Sequence, residues 1–339
     1  MQETLHPFPQ HFMEQAHAVL EQLRQHDRFI VCAHASPDGD AVGSTAIMGY
    51  ILKALGKQVI LYNASGLPDY LRWLPQPCYW HTHLSPLPFS PEVAIVLDCG
   101  EAHRTGEDMA ASLAAGLPCI NIDHHRGNPL FGTLANWVDH NFAATAQALA
   151  YIAQAAGIAL TGGLAKNLGL ALITDTGGFA HGNTNVHVLA LTTHLVGLGL
   201  DITALREQLD HQWSLGRMRL WGRLMGSVAT RRRDTIAFIA IPYALFQETG
   251  ASKEDLEGFV DIMRRLKGVK ATIMLREDKP NLCKFSLRSA GDIDVRAAAM
   301  SLHGGGHKNA AGGTIKLPLQ EAAEAVLQAV SEELDQEGE

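Results

Sequence analysis

The chain lacks the sequence features that mark several classes of protein. It has 339 residues but only five cysteines, and no two of them stand in CxxC spacing. No apolar run approaches the roughly 18 residues that a membrane span needs. The N-terminal stretch has no basic segment followed by an apolar one, which a secretory signal would show. We therefore expect a cytoplasmic protein with free, buried thiols and with no disulfide framework, zinc site or membrane anchor.

Positive charge is scarce as well. Lysine and arginine total 27 against 35 aspartates and glutamates, which gives a formal net charge of −8. A protein that coats long nucleic acid normally has a basic surface, so we exclude long nucleic acid as a partner. A small or short anionic ligand remains compatible, because a local basic patch can oppose the overall charge.

The order of the apolar segments predicts two α/β domains, and the length corresponds to about two domains of ordinary size. In the first half, short apolar strands alternate with helical patterns, which predicts a parallel sheet with helices on both faces. From about residue 228 a smaller set of strands and helices follows, with one helix predicted over residues 253–265. We expect a first domain at residues 1–185, a helical linker at 186–228 and a smaller α/β domain at 229–339.

Acidic and histidine residues follow four apolar segments of the first half. They are His34, Asp38, Asp40, Asp98, Asp123, His124, His125 and Asp175. In open α/β sheets ligands bind beyond the carboxyl ends of the strands, so we expect these side chains to meet at one edge. Taken singly, each motif is also explained as a turn or a helix cap. The segment before Asp175, residues 164–174, is apolar enough for either a buried strand or a buried helix.

The residue types of this set predict bound cations. Clustered carboxylates repel one another unless cations neutralise them. Mixed carboxylate and imidazole ligands suit a hard to borderline divalent ion, and the imidazoles favour Mn²⁺ over Ca²⁺. About six or seven ligands exceed one site and suit two ions that share a bridging carboxylate.

A glycine-rich segment marks the second domain. Residues 302–313 read LHGGGHKNAAGG, with five glycines beside hydrogen-bond donors. Glycines let backbone amides approach an anion closely, which predicts a phosphate-binding segment, with a flexible loop as the alternative. Arg288, at the end of a predicted strand, adds a guanidinium suited to phosphate or to base stacking.

These motifs together resemble the DHH phosphoesterase family. The four acidic and histidine motifs match in order, and residues 304–313 are similar to the signature of the associated DHHA1 domain. Arg104 and the Phe131-Gly132 pair fit as well, and the resemblance covers residues 15 to 330. With one DHHA1 domain and this length, the chain is most similar to the NrnA-like group of bifunctional oligoribonucleases (nanoRNases) and pAp phosphatases.

The resemblance implies two bound Mn²⁺ ions, with Mg²⁺ as the alternative. One ion would be bound by His34, Asp38 and Asp98. The other would be bound by Asp40, Asp98, His124 and Asp175, with Asp98 as the bridge. Asp123 would orient an imidazole and His125 would face the scissile phosphate, so that Asp98, Asp123 and His125 form the implied catalytic set. The resemblance also makes residues 164–175 a helix.

The implied activity is hydrolysis of short oligoribonucleotides or of 3'-phosphoadenosine 5'-phosphate (pAp), by attack of a metal-bridging hydroxide on phosphorus. The implied substrate-binding residues are Arg104, Arg288, Ser289, Gly305, Gly306, His307 and Asn309. A homodimer is a possible assembly. The alternatives are a phosphodiesterase of cyclic or linear dinucleotides, a RecJ-type single-strand exonuclease and a nucleotide-binding regulator without activity. Gln147 stands where relatives often carry glutamate, and we expect activity to survive this change.

Overall fold

A computed structural model describes residues 7–211 and 213–336 and divides them into two units. The first unit includes the described residues up to 211, and the second begins at Trp213. The helices of the first unit are α1 Gln10–Arg24, α2 Gly39–Ala54, α3 Glu107–Ala114, α4 Thr145–Ala155, α5 Gly162–Asp175, α6 Val186–Gly197 and α7 Ile202–Asp210. Its strands are β1 Arg28–Cys32, β2 Gln58–Tyr62, β3 Trp80–His81, β4 Val93–Leu97, β5 Cys119–Asp123 and β6 Ala135–Val138.

The sheet of the first unit has the order β3-β2-β1-β4-β5-β6, and all its neighbouring strands are parallel. The direction in which strands are added reverses between β1 and β4, and ligands bind beyond the carboxyl ends of the strands at such a point. Phe29 pairs with Val93 and Cys32 with Val96, so β1 and β4 end at nearly the same level. The predicted parallel sheet is confirmed, and its reversal point lies beside His34.

Helices cover both faces of this sheet, as predicted. Side chains alternate between the faces of a strand. Along β1, Phe29 and Val31 therefore enter the core that includes α1, α2, α4 and α5. Ile30 and Cys32 enter a smaller core on the opposite face, which includes Met109 of α3.

The close packing of α2 against α5 sets the position of several acidic residues. A Cβ atom at Gly39 would lie 2.4 Å from Oγ1 of Thr174, and one at Gly43 would lie 2.7 Å from the carbonyl oxygen of Asn167. Only glycine permits such an approach of the two helices. The N-terminus of α2 consequently lies beside the C-terminus of α5, where Asp175 is the last residue. The helix implied for residues 164–175 is confirmed, and the burial of every residue from 167 to 173 explains the ambiguous sequence pattern.

The second unit is also an α/β structure with helices on both faces of its sheet. Its helices are α8 Leu215–Met225, α9 Ala244–Thr249, α10 Phe259–Met263, α11 Val295–Ser301 and α12 Leu319–Gln336. Its strands are β7 Ala229–Arg231, β8 Ile236–Ile241, β9 Ala271–Lys279, β10 Leu282–Ser289, β11 Gly305–His307 and β12 Ala310–Ile315. The sheet order is β11-β12-β10-β9-β8-β7, and only the β8–β9 pair is parallel among these described strands. One face packs on α11 and α12, and the other packs on α8 and α10.

Two expectations about local structure are corrected. The single helix predicted over residues 253–265 is broken, because Gly258 has φ +81° and separates a 3₁₀ turn at Glu254–Leu256 from α10. The glycine-rich segment, for which a flexible loop was the alternative, forms β11 and β12 instead. Residues 186–228 are largely helical, with α6 and α7 in the first unit and α8 in the second. The predicted domain bounds stay a prediction.

Within residues 7–211 and 213–336, no single helix is both long and apolar enough to cross a membrane. The one bent pair of described helices that meets the criteria together, α6 and α7, turns by 104° at its break. The five cysteines are unpaired, and all except Cys78 are buried.

Candidate metal centre and active site

Asp98 is the central residue of the site. It follows β4 in a left-handed backbone conformation, with φ +50°, and its side chain is only 2% exposed. Its Oδ2 lies 3.6 Å from Nε2 of His34, whereas its Oδ1 lies 3.4 Å from Nε2 of His124. The two oxygens of one carboxylate therefore face two different histidines. A left-handed conformation at a residue other than glycine stores strain, which is common at functional sites.

A first group of possible metal ligands consists of His34, Asp38 and Asp98, whose ligand atoms lie within 4.8 Å of one another. Nδ1 of His34 lies 2.9 Å from the carbonyl oxygen of Ala35, which leaves Nε2 for the site. Oδ1 of Asp38 caps α2 by accepting two backbone N–H groups, while its Oδ2 lies 3.9 Å from Nε2 of His34. Asp38 is thus both the helix cap and a member of the ligand group.

A second group consists of Asp40, His124 and Asp175, again with ligand atoms within 4.8 Å. Nδ1 of His124 lies 3.2 Å from the carbonyl oxygen of Phe142, and its Nε2 lies 3.3 Å from Oδ2 of Asp175. Asp40 is fully buried and accepts the N–H of Thr145 at 2.6 Å. This amide belongs to the first turn of α4, so the N-terminus of that helix stabilises the buried carboxylate. This group contains three of the four residues that the resemblance implies for the second ion, and Asp98 is grouped instead with His124 and His125.

Asp123 orients His125, which identifies the imidazole that the sequence left open. Its Oδ1 lies 2.7 Å from Nδ1 of His125, and its Oδ2 accepts a hydrogen bond from Nδ2 of Asn128 at 2.7 Å. Asn128 also donates to Oδ1 of Asn121 at 2.8 Å. The sequence reasoning missed both asparagines, although Asn128 follows the histidine pair closely. With Nδ1 bound by Asp123, the other ring nitrogen of His125 is left for a different partner.

Mutual electrostatics shift the titration of the whole cluster. Burial alone would lower the pKa of His34 and His124, but their hydrogen bonds to Asp98 and its charge outweigh this and raise the pKa values to about 9 and about 10. Burial would raise the pKa of Asp98, yet the hydrogen bonds from the two histidines hold it well below its usual range. Burial and the nearby carboxylates of Asp40 and Asp98 raise the pKa of Asp175 to about 9. The negative charge of the cluster therefore favours binding of a proton or another cation at His34, His124 and Asp175.

The donor set fits a divalent cation. Four carboxylates and two imidazoles face one another in the two groups, a combination that suits Mn²⁺ and related ions better than Ca²⁺. The ring nitrogens of His34 and His124 that face the carboxylates are fixed by hydrogen bonds on the opposite side of each ring. Asp98 belongs to both the His34 group and a group with His124, as a bridging ligand must.

Comparison with known proteins decides the family. The profile described as "DHH family, N-terminal domain" matches residues 28–173, and the DHHA1 domain profile matches residues 236–336. A bifunctional oligoribonuclease and PAP phosphatase NrnA of Thermus thermophilus is 34% identical over 314 residues, covering 91% of this chain and 90% of that protein. The chain belongs to the DHH family. Its DHHA1 domain follows the DHH domain, as the sequence motifs predict. The expected class of enzyme, a metal-dependent phosphoester hydrolase, is confirmed.

More distant relatives agree with this assignment. An NrnA of Mycoplasma genitalium with the same description is 24% identical over 87% of this chain and 91% of its own length. Among solved structures, an exopolyphosphatase-related protein from Bacteroides fragilis superimposes with a TM-score of 0.81. It is 25% identical, and the match covers 96% of each chain. The two-unit DHH and DHHA1 architecture expected from the sequence is therefore confirmed.

Two further residues of the DHH unit had open roles. Arg104 donates nothing to the ligand groups, but its backbone carbonyl accepts the N–H of Ala35 at 2.7 Å, next to His34. Within the part of the chain that the structure describes, its guanidinium has no ion pair. Gln147 is fully buried; its Oε1 accepts the N–H of Ala143 at 3.1 Å and its Nε2 donates to Tyr151 at 2.8 Å. Gln147 thus supports α4, and no hydrogen bond between its side chain and the two ligand groups is found among the described residues.

In the DHHA1 unit, two of the predicted substrate-binding residues, Ser289 and Asn309, form a hydrogen bond with each other. Ser289 is 1% exposed and donates to the carbonyl oxygen of Ile293, while Nδ2 of Asn309 donates to Oγ of Ser289 at 2.9 Å. Arg288 is partly exposed, with Nε 3.5 Å from Oδ1 of Asp261. The hydroxyl of Ser289 and Nδ2 of Asn309 are therefore engaged within the fold. Nη1 of Arg288 donates to the carbonyl oxygen of Leu287, and no described hydrogen bond uses its Nη2.

The glycines of the DHHA1 unit differ among themselves. A Cβ at Gly306 would lie 2.5 Å from the carbonyl oxygen of Ala310, and one at Gly312 would lie 2.6 Å from that of Phe285. A Cβ at Gly305 would meet nothing within 4 Å. Strand packing thus explains Gly306 and Gly312, and Gly305 stays open to a ligand. The side chain of His307 lies outside the described residues.

Proposed function

We propose that this DHH protein hydrolyses phosphoester bonds in short oligoribonucleotides and in pAp, with two Mn²⁺ ions at the site. The observation that carries the proposal is Asp98, whose two oxygens face His34 and His124 separately. Such a carboxylate suits a bridge between two cations. We infer the two activities from the similarity to relatives that are named bifunctional oligoribonuclease and PAP phosphatase.

The ligand roles follow from the two groups. We assign one ion to the first group, His34, Asp38 and Asp98, and the other to Asp40, Asp98, His124 and Asp175. When bound there, divalent cations supply activation of water and offset negative charge on the phosphate oxygens. The amides at the N-terminus of α4 keep the Asp40 carboxylate in place as the substrate binds.

His125 is assigned to the reacting phosphate. Its Nδ1 is bound by Asp123 at 2.7 Å, and 29% of its side chain is exposed. The free Nε2 can thus donate a hydrogen bond to a phosphate oxygen or a proton to the leaving oxygen. Asp123, itself fixed by Asn128, orients this ring.

For substrate binding we keep Arg104, Arg288, Gly305, Gly306 and His307 as residues that contact the nucleotide. Ser289 and Asn309 hold the segment that carries Arg288 in place. The net charge of −8 favours very short substrates over long nucleic acid. The unpaired cysteines favour the cytoplasm as the compartment, and a homodimer stays a possible assembly.

A substrate panel tests the proposal. The full chain is treated with EDTA, supplied with Mn²⁺, and given a diribonucleotide, pAp and a cyclic dinucleotide in parallel. We expect mononucleotides from the first and inorganic phosphate from pAp, both abolished by EDTA and restored by Mn²⁺. Faster turnover of the cyclic dinucleotide than of the other two, or undiminished turnover in EDTA, would contradict the proposal.

A further inference from the structure

A short turn that contributes no ligand fixes several ligand side chains of the metal centre. This turn, Phe142–Ala146, leads into α4. Its first carbonyl oxygen lies 3.2 Å from Nδ1 of His124. The last two backbone amides of the turn donate to the two oxygens of Asp40 at 2.6 and 3.0 Å. The hydroxyl of Thr145 donates to Oδ1 of Asp98 at 3.2 Å.

Asp175 is the ligand of the second group that none of these bonds reaches. It ends α5, a separate helix, so its position relative to the turn requires another connection. Asn183 provides it: Nδ2 donates to the carbonyl oxygen of Ala143 in the turn at 2.9 Å and to that of Asp175 at 3.1 Å. One side-chain amide thereby joins the turn to the end of α5.

The contacts of Asn183 indicate that this double donation is its main role. Oδ1 of Asn183 is buried and has no hydrogen-bond partner within residues 7–211 and 213–336. A buried acceptor without a partner costs free energy, which the two bonds from the amide nitrogen must offset. The carbonyl oxygen of Asp175 also lies 3.3 Å from Nδ1 of His181, but of the described side chains only the amide of Asn183 reaches both this oxygen and that of Ala143. A carboxylate or an apolar group of similar size lacks the donors for these two bonds.

Asn185, two residues further along the chain, has the same side-chain amide but different hydrogen-bond partners. Its Nδ2 donates to the carbonyl oxygen of Asn141 at 2.9 Å, and its Oδ1 caps α6 by accepting two backbone N–H groups. No described hydrogen bond of Asn185 reaches a residue of the two ligand groups. The same segment therefore offers an asparagine of matched type whose loss affects the fold alone.

We propose that Asn183 is a positioning residue of the metal centre, which keeps Asp175 in register with the Phe142–Ala146 turn and so with the ligands His124, Asp40 and Asp98. This inference rests on the proposed function for the existence of the metal centre. Residues that orient metal ligands from outside typically change metal affinity when they are replaced, even though they do not touch the ion.

The test is a calorimetric titration of Mn²⁺ into the EDTA-treated full chain. In Asn183→Leu, which keeps the volume but lacks the donors, we expect the Mn²⁺ dissociation constant to rise about tenfold or more. In Asn185→Ala we expect a lower melting temperature of the metal-free protein and a change in the dissociation constant of less than about twofold. The rise in melting temperature on adding Mn²⁺ should shrink in Asn183→Leu alone.

Two outcomes overturn the inference. Wild-type affinity in Asn183→Leu, or an equal loss in Asn185→Ala, would reduce Asn183 to a general structural residue. If Asn183→Leu does not fold, Asn183→Ser, which retains one donor, replaces it, and unchanged affinity in that variant has the same consequence. A wild-type chain that binds no Mn²⁺ overturns the proposed function itself, which separates the two failures.

Discussion

The two units of the molecule use their sequence motifs in different ways. In the DHH unit, residues from four separate segments come together with ligand atoms that face one another, as in the group of His34, Asp38 and Asp98. In the DHHA1 unit, Ser289 and Asn309 hydrogen-bond to each other. Some of that unit's glycines are likewise explained by strand packing.

Charged motifs and small-residue motifs in a sequence therefore differ in how strongly they indicate a functional site. A fold rarely needs several charged side chains clustered at the ends of parallel strands. Such a cluster therefore indicates a binding or catalytic site. Glycines and small polar residues have many structural uses, because strands that approach closely exclude a Cβ atom. Four predictions test this contrast.

The largest effect is expected at the shared carboxylate. Asp98→Asn should lower kcat/KM by about a thousandfold or more, equivalent to about 4 kcal/mol, because an amide cannot bridge two cations. Steady-state hydrolysis of a diribonucleotide measures it. Asp210→Asn, an exposed aspartate paired with Arg206, serves as the control and should keep wild-type activity. Comparable activity in the two variants would remove Asp98 from the site.

Removal of the metal ions should lower the thermal stability of the DHH unit and leave that of the DHHA1 unit unchanged. Mn²⁺ at 100 times its dissociation constant should stabilise the DHH unit by about 2.7 kcal/mol, because bound cations relieve repulsion among Asp40, Asp98 and Asp175. Calorimetric melting with EDTA, Mn²⁺ or Ca²⁺ should shift the transition of this unit, most with Mn²⁺. The DHHA1 transition should stay in place. A shift of both transitions by the same amount would mean that the ions act elsewhere.

A pair of glycine variants separates packing from binding in the DHHA1 unit. Gly312→Ala should cost about 1–3 kcal/mol in the free energy of unfolding, because its Cβ would press on the carbonyl oxygen of Phe285. Gly305→Ala, which meets open space, should leave stability unchanged and raise KM. Urea denaturation and substrate titration measure the two effects. Equal stability losses would argue against this division of the glycines.

The smallest effect is expected at Ser289. Ser289→Ala should cost about 1 kcal/mol in the free energy of unfolding, since Asn309 and the carbonyl oxygen of Ile293 lose a partner. KM should change little, whereas Arg288→Met should raise it through loss of a phosphate-binding guanidinium. A higher KM for Ser289→Ala with unchanged stability would place its hydroxyl on the substrate.

Much of the fold could be predicted from the sequence. Short apolar strands such as Val93–Leu97 and the order of strands and helices predict a covered parallel sheet, because local patterns determine local structure. The structure also contains the short strand β6, Ala135–Val138, which the apolar pattern of the sequence does not indicate. The predicted helix over residues 253–265 was wrong, since the left-handed Gly258 interrupts it.

The types and order of the metal-ligand candidates follow from the sequence alone, because each of them lies at or close to the end of a strand or helix. Only the tertiary structure decided that Asp123 orients His125, and that Asn128 and Asn183 support the site. It also decided that the amide of Thr145 holds Asp40, a residue 105 positions away in the chain. The bond between Thr145 and Asp40 joins segments distant in sequence, so no local pattern contains it, and it forms only when the helices pack around the sheet.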